Sequence, residues 1–362
     1  MAIRIPWENP LFDKTELTLL QKVFDKNTSD DTIDSFESVL GEFIGNPRVV
    51  TVNNGTLALL VALMAIDIGV ADKVIVPTYT FASVANPILM LGGTPILVDS
   101  HPDSINLDLD AVESVLEENP EVKAILHVDV GGVPPDYDRL QNLAERYNVT
   151  IIEDAAEALG SEYKGDRVGV LPHIVTLSFQ TAKQLTCFEG GALLLPSDQM
   201  YEKCKLLRHH GMSSQYEHTA FGLNFRLSAL NAAVGLAQMK HLEGFLKHRN
   251  KIMDIYRSNL GSVLKFQSAP KNVTRMSWGM ALVQASCREE RDKTIEALSK
   301  AGVQTRINWK PIHQQPYHSK FLTGNFPVAD HVFDTSFTLP LNNGMTLKEA
   351  EFVAKQTVSA IT

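Results

Sequence analysis

The sequence predicts an α/β protein, with a mostly parallel central sheet covered by helices on both faces and a smaller C-terminal α+β domain. Three observations point there. The first two-thirds alternates short, continuous apolar runs with helical patterns. Runs apolar on every residue belong to strands buried on both faces, as in parallel sheets. The length of 362 residues suits one large domain plus a smaller one, divided here at 1–245 and 246–362.

The elements follow in order. NNGTLALLVALMAI, from Asn53, is a polar turn leading into an apolar helix. VIVPTYT (Val74–Thr80) and PILVDS (Pro95–Ser100) are strands, the second following the Gly92-Gly93 turn. A helix (Leu109–Asn119), a strand (Val122–Val130), a helix (Tyr137–Asn148) and a strand (Val149–Ala155) come next. VTLSF and GALLLP are two further strands, with Lys183 in the loop between them. A helical pattern through Leu230, Val234, Met239, Leu242, Leu246, Met253 and Tyr256 predicts one long helix from Leu227 to Leu260, linking the domains. Beyond it RMSWGMALVQA, a helix EERDKTIEALSKAG, a strand VQTRIN and a final helix LKEAEFVAKQTVSA form the smaller domain.

Composition excludes several classes. A net charge of −9 argues against a general nucleic-acid or anionic-membrane binder. Three widely spaced cysteines suggest neither a disulfide framework nor a metal site, and fit a reducing cytoplasm. No apolar run approaches the ~20 residues of a membrane helix, and MAIRIPWENPLF has no secretory apolar core.

Ligands of open parallel sheets bind beyond the carboxyl ends of the strands. Five candidates follow, each with a plainer reading. The Asn-Gly-Thr turn could offer helix N-terminal amides to phosphate, or Asn54 or Thr56 could simply cap the helix. Asp154 ends an apolar strand, where a carboxylate is costly unless paired. A protonated ring nitrogen would pair it, and so would a lysine or a helix cap. Lys183, if partly desolvated, becomes a nucleophile toward aldehydes; otherwise it is a solvated loop lysine. Phe81 could form a flat apolar surface or pack in the core. Asn224 and Arg226 precede the long helix, where Ser228 could cap.

In combination, the motifs NGTLAL, VPTYTFASVAN, IIEDAAEALGS, SFQTAK, EGG, GLNFRLSALNAAVGLAQM and KPIHQQPY resemble the DegT/DnrJ/EryC1/StrS aminotransferases, of pyridoxal phosphate fold type I. The resemblance covers essentially the whole chain and is nearest to the members that make GDP-perosamine. It implies that Lys183 forms the Schiff base with pyridoxal 5'-phosphate and is the catalytic acid–base. Asp154 would hold the pyridinium nitrogen, and Phe81 would stack on the ring. Gly55, Thr56 and Ser178 would bind the phosphate, with Asn224 reaching the phosphate of the other subunit in a homodimer. Glu157 stands near the ring hydroxyl where the family usually has Gln. His313 and Arg226 would lie on the substrate side.

The implied reaction moves the amino group of L-glutamate, through pyridoxamine phosphate, to a nucleotide-linked 4-keto-6-deoxy sugar for surface glycans such as O-antigen. A 3-aminotransferase, an enzyme of another ring ketone and a non-catalytic regulator are the alternatives. Related dehydratases carry His at the lysine position. The usual His-Leu-Tyr-Gly reads Asp129-Val130-Gly131-Gly132 here, and the usual Gly-Asp reads Pro172-His173.

Overall fold

The computed structural model describes residues 4–26 and 29–362. Its centre is a seven-stranded sheet: β1 (Val49–Val52), β2 (Lys73–Pro77), β3 (Thr94–Val98), β4 (Val122–Val128), β5 (Thr150–Asp154), β6 (Ile174–Ser178) and β7 (Gly191–Leu194). The spatial order is β1-β7-β6-β5-β4-β2-β3, and β7 alone runs against the others. The strands are rich in Val, Ile and Leu because both faces of the sheet are covered. The mostly parallel sheet expected from the sequence is therefore present.

Parallel strands bring their carboxyl ends to one edge. There Val128 lies opposite Asp154, and Asp154 opposite Thr176. The apolar helix Gly55–Ala65 runs back from β1, with seven of its eleven residues buried. Asn54 caps it, accepting from Leu57 N–H at 2.9 Å. A helix apolar all round belongs in the core, and its N-terminus is thereby pinned at the same edge.

Two sequence expectations need correction. The stretch Leu227–Leu260 is not one helix but two, Ala229–Met239 and Leu242–Leu260. The first packs an Ala-rich face on the N-terminal helices, and its Gln238 donates to Leu11 O and Glu16 Oε1. The second turns Ile252, Met253, Tyr256 and Leu260 into the C-terminal core. Apolar spacing cannot show that the two stripes face different partners. Ser228 does cap the first helix, accepting from Asn231 N–H at 3.2 Å. The second correction is VQTRIN, which forms no strand. It makes only isolated bridges, Ile5 to Val303 and Arg306 to Thr338, because it passes between two elements instead of lying along one.

The C-terminal part is a three-stranded antiparallel sheet (Lys265–Phe266, Ala281–Gln284, Ser336–Leu339) under helices Arg288–Lys300 and Leu347–Ile361. Residue 245 falls inside helix Leu242–Leu260, whose Leu242 and Leu246 pack with the large sheet and whose later residues pack with the small one. We propose to keep the domain boundary in that helix.

Candidate active site

The carboxyl edge gathers most of the residues singled out above. Lys183 lies in the loop after β6, its side chain only 19% exposed. Its backbone N–H donates to Gln180 O at 3.0 Å. The next residue, Gln184, is fully buried and donates to Ser277 Oγ at 3.0 Å and to the Glu157 carbonyl. Asn343 Nδ2 in turn donates to Gln184 O at 3.1 Å. The loop is thus fixed from both domains, and Lys183 is not a solvated turn lysine.

Asp154 ends β5 and is 8% exposed. It accepts one hydrogen bond, from Ala156 N–H at 3.1 Å. Among the described residues no cationic nitrogen lies within 4.0 Å of it. Burial pushes its pKa up to about 6, against the opposing pull of the Ala156 hydrogen bond and the Lys183 charge. A buried carboxylate left this way suits a cationic partner supplied from outside the chain.

Glu157 is 6% exposed and spans the site. Its Oε2 accepts from Gly131 N–H at 2.8 Å, and its Oε1 lies 3.4 Å from Lys183 Nζ. Sequence reasoning found Glu157 but not this pairing with Lys183.

Opposite them, the first-turn amides of Gly55 and Thr56 have no intrahelical acceptor. A Cβ on Gly55 would lie 3.0 Å from Ser178 Cβ, so glycine lets the helix start sit against β6. Phe81 is 58% exposed just beyond β2, as a ring platform would be. Asn224 and Arg226 lie on an exposed segment along β1, with Asn53 N–H donating to Phe225 O at 3.0 Å. Arg226 Nε donates to Asn224 Oδ1 at 3.3 Å.

His313 reaches the edge from the C-terminal part. Its Nδ1 lies 2.7 Å from Thr78 Oγ1, and its Nε2 lies 2.9 Å from Asp330 Oδ1. Both ring nitrogens are engaged, so His313 ties the end of β2 to helix Pro327–Thr335.

On the opposite face of β5 is a cluster that sequence reasoning missed. Glu153 accepts from His173 Nε2 at 2.5 Å and from the Tyr137 hydroxyl. Asp129 is fully buried with His127 Nε2 at 3.3 Å. Burial raises the Asp129 carboxyl well above its usual range and lowers His127 to about 4, so His127 is neutral near pH 7. Burial works to raise Glu153 too, but the His173 hydrogen bond and charge outweigh it and hold Glu153 below the usual range. The departures at Asp129 and His173 were the visible signal. The fold shows that they meet around one carboxylate.

The chain matches the DegT/DnrJ/EryC1/StrS aminotransferase family over residues 11–358. It belongs to this family. It is 33% identical over 310 residues to the GDP-perosamine synthase of Escherichia coli O157:H7, across 85% of this chain and 84% of that protein. The DesV protein of S. venezuelae, solved in complex with a ketimine intermediate, is 28% identical with a TM-score of 0.91, over 96% of this chain and 94% of that one. Spr1654 of Streptococcus pneumoniae, in its PLP form, is 25% identical with a TM-score of 0.93, over 99% of this chain and 100% of that one.

The chain is thus an aminotransferase dependent on pyridoxal phosphate, with the type I fold. Its residues fit that cofactor: an unpaired buried carboxylate for a ring cation, a desolvated lysine for the aldehyde, and a glycine-lined helix start for the phosphate. Among the described residues no group of three or more His, Cys, Asp or Glu could hold a metal, and no helix is long and apolar enough to cross a membrane.

Proposed function

We propose that this enzyme moves the amino group of L-glutamate to the keto carbon of a nucleotide-linked 4-keto-6-deoxy sugar, giving a 4-amino sugar for surface glycans such as O-antigen. The observation that carries this is the 33% identity to GDP-perosamine synthase over most of both chains, with Lys183, Asp154 and Glu157 converging at the sheet edge.

When bound, pyridoxal phosphate supplies an aldehyde that captures amines and a ring that takes up the electrons released at the amino-acid α-carbon. Lys183 would hold the cofactor through Nζ and, as a free amine, would carry a proton as base and return it as acid. Asp154 would pair with the ring nitrogen and keep its proton in place. Phe81 would cover one ring face. Gly55, Thr56 and Ser178 would hold the phosphate at the helix N-terminus. Arg226 and His313 lie toward the substrate, His313 by holding the end of β2.

Asn224 belongs to an exposed strip with Phe221 at 76%, Leu223 at 40% and Leu230 at 42% exposure. Exposed apolar groups of this kind mark an interface. They support a homodimer whose Asn224 completes the neighbouring site.

The test is to incubate the loaded enzyme with L-glutamate and 4-keto-6-deoxy sugars carried on GDP, dTDP or UDP, following 2-oxoglutarate and the aminated carbon. Stoichiometric 2-oxoglutarate with amination at C4 is expected. Amination at C3 would move the reading to a 3-aminotransferase, and no 2-oxoglutarate with any of them would sink it.

A further inference from the structure

The inference concerns Glu157 and rests on the reading that Lys183 carries the cofactor. Glu157 cannot turn away from Lys183. Its carbonyl is held by Gln184 and by Ser277 Oγ at 3.2 Å. A Cβ on Gly279 would lie 2.4 Å from Glu157 Cβ, and one on Gly132 would lie 2.5 Å from Glu157 O. With Oε2 tied to Gly131 N–H, Oε1 is left facing Lys183 Nζ at 3.4 Å.

The charged and titratable groups around this contact come from four elements. Asp129 follows β4, Asp154 stands at the end of β5, and Tyr79 follows β2, with Asp129 and Tyr79 fully buried. Arg249, on helix Leu242–Leu260, is buried behind Glu157. It donates to Trp278 O at 2.9 Å, Gly279 O at 3.0 Å and Asn343 Oδ1 at 3.2 Å, with no carboxylate among these partners. Glu157 thus has two basic neighbours, Arg249, which feels its charge, and Lys183, at 3.4 Å. The usual Gln of the family would bring an amide here, which carries no charge and can donate to a ring oxygen. A carboxylate does neither.

We propose that Glu157 is the counter-ion of the Lys183 nitrogen, both in the free enzyme and while that nitrogen is bonded to the cofactor. Bonding forms C=N from the neutral amine and the aldehyde, and the aldehyde oxygen leaves as water with the two amine hydrogens. No oxidation state changes. The nitrogen then carries a positive charge only if it takes up a proton, and Oε1 stabilises that form.

The experiment is a pH titration of the absorbance of the loaded enzyme, read from the band of the protonated C=N bond, in wild type, Glu157→Gln and Glu157→Asp. Loss of an anion at this distance lowers the midpoint for losing the proton, by about one pH unit or more in Glu157→Gln. Glu157→Asp, which withdraws the charge by one methylene, falls between. It carries the test if Glu157→Gln does not fold. A second readout is loading: the borohydride-trapped yield in cofactor-free Glu157→Gln plus pyridoxal phosphate rises at lower pH than in wild type. A midpoint that stays or moves up, with the band still dependent on Lys183, overturns the counter-ion role alone. A band that persists in Lys183→Ala overturns the underlying reading of Lys183 as well.

Discussion

Glu153 and Asp154 are consecutive residues of one strand, both buried, yet they live in opposite electrostatic worlds. Glu153 points to the closed face, where His173 and Tyr137 donate to it. Asp154 points to the open edge, where one backbone N–H is its donor. The first is held below the usual carboxylate range despite burial, and the second is pushed up to about 6 by burial. A buried acid whose demands are met inside the chain is part of the scaffold. One whose demands are left open has its partner outside the chain.

The comparison can be broken at three points. On the open side, Lys183→Ala or Lys183→Arg should reduce glutamate-dependent turnover below detection, because the proton carrier is lost. Normal turnover would show that the open side is not the reacting one. On the closed side, His173→Ala leaves Glu153 buried without its ring-nitrogen partner, and should cost about 3–5 kcal/mol in urea unfolding of the loaded enzyme. A change below about 1 kcal/mol would remove the scaffold role.

Asp154→Asn sharpens the contrast with a smaller effect. In the cofactor-free enzyme, folded Asp154 binds its proton up to about pH 6, while the unfolded group releases it near 3.8. The folded state thus holds more protons between those values, and stability falls as pH rises through that window. Asp154→Asn should flatten this slope and raise cofactor-free stability at pH 7 by about 1–3 kcal/mol, while the loaded enzyme loses most of its turnover. Denaturant titrations at pH 4 and pH 7 would check the slope, and an unchanged slope would count against the assignment.

Much of this was legible in the order of residues. The apolar runs located all of the central strands except β1, and the motif combination pointed to Lys183, Asp154 and Glu157. Other features depend on which strands become neighbours. His173 lies 20 residues from Glu153, and parallel pairing of β5 with β6 brings them together. Lys183 and Glu157 are 26 residues apart and meet only because both follow strands with adjacent carboxyl ends. The break at residues 240–241 was hidden because a helical stripe carries no record of which core it faces.

The helix Gly55–Ala65 has one further consequence. Its start is anchored by a helix sunk in the core, so the backbone amides there are ordered before any ligand arrives. Ordering those amides is thus no part of the cost of binding an anion at that point.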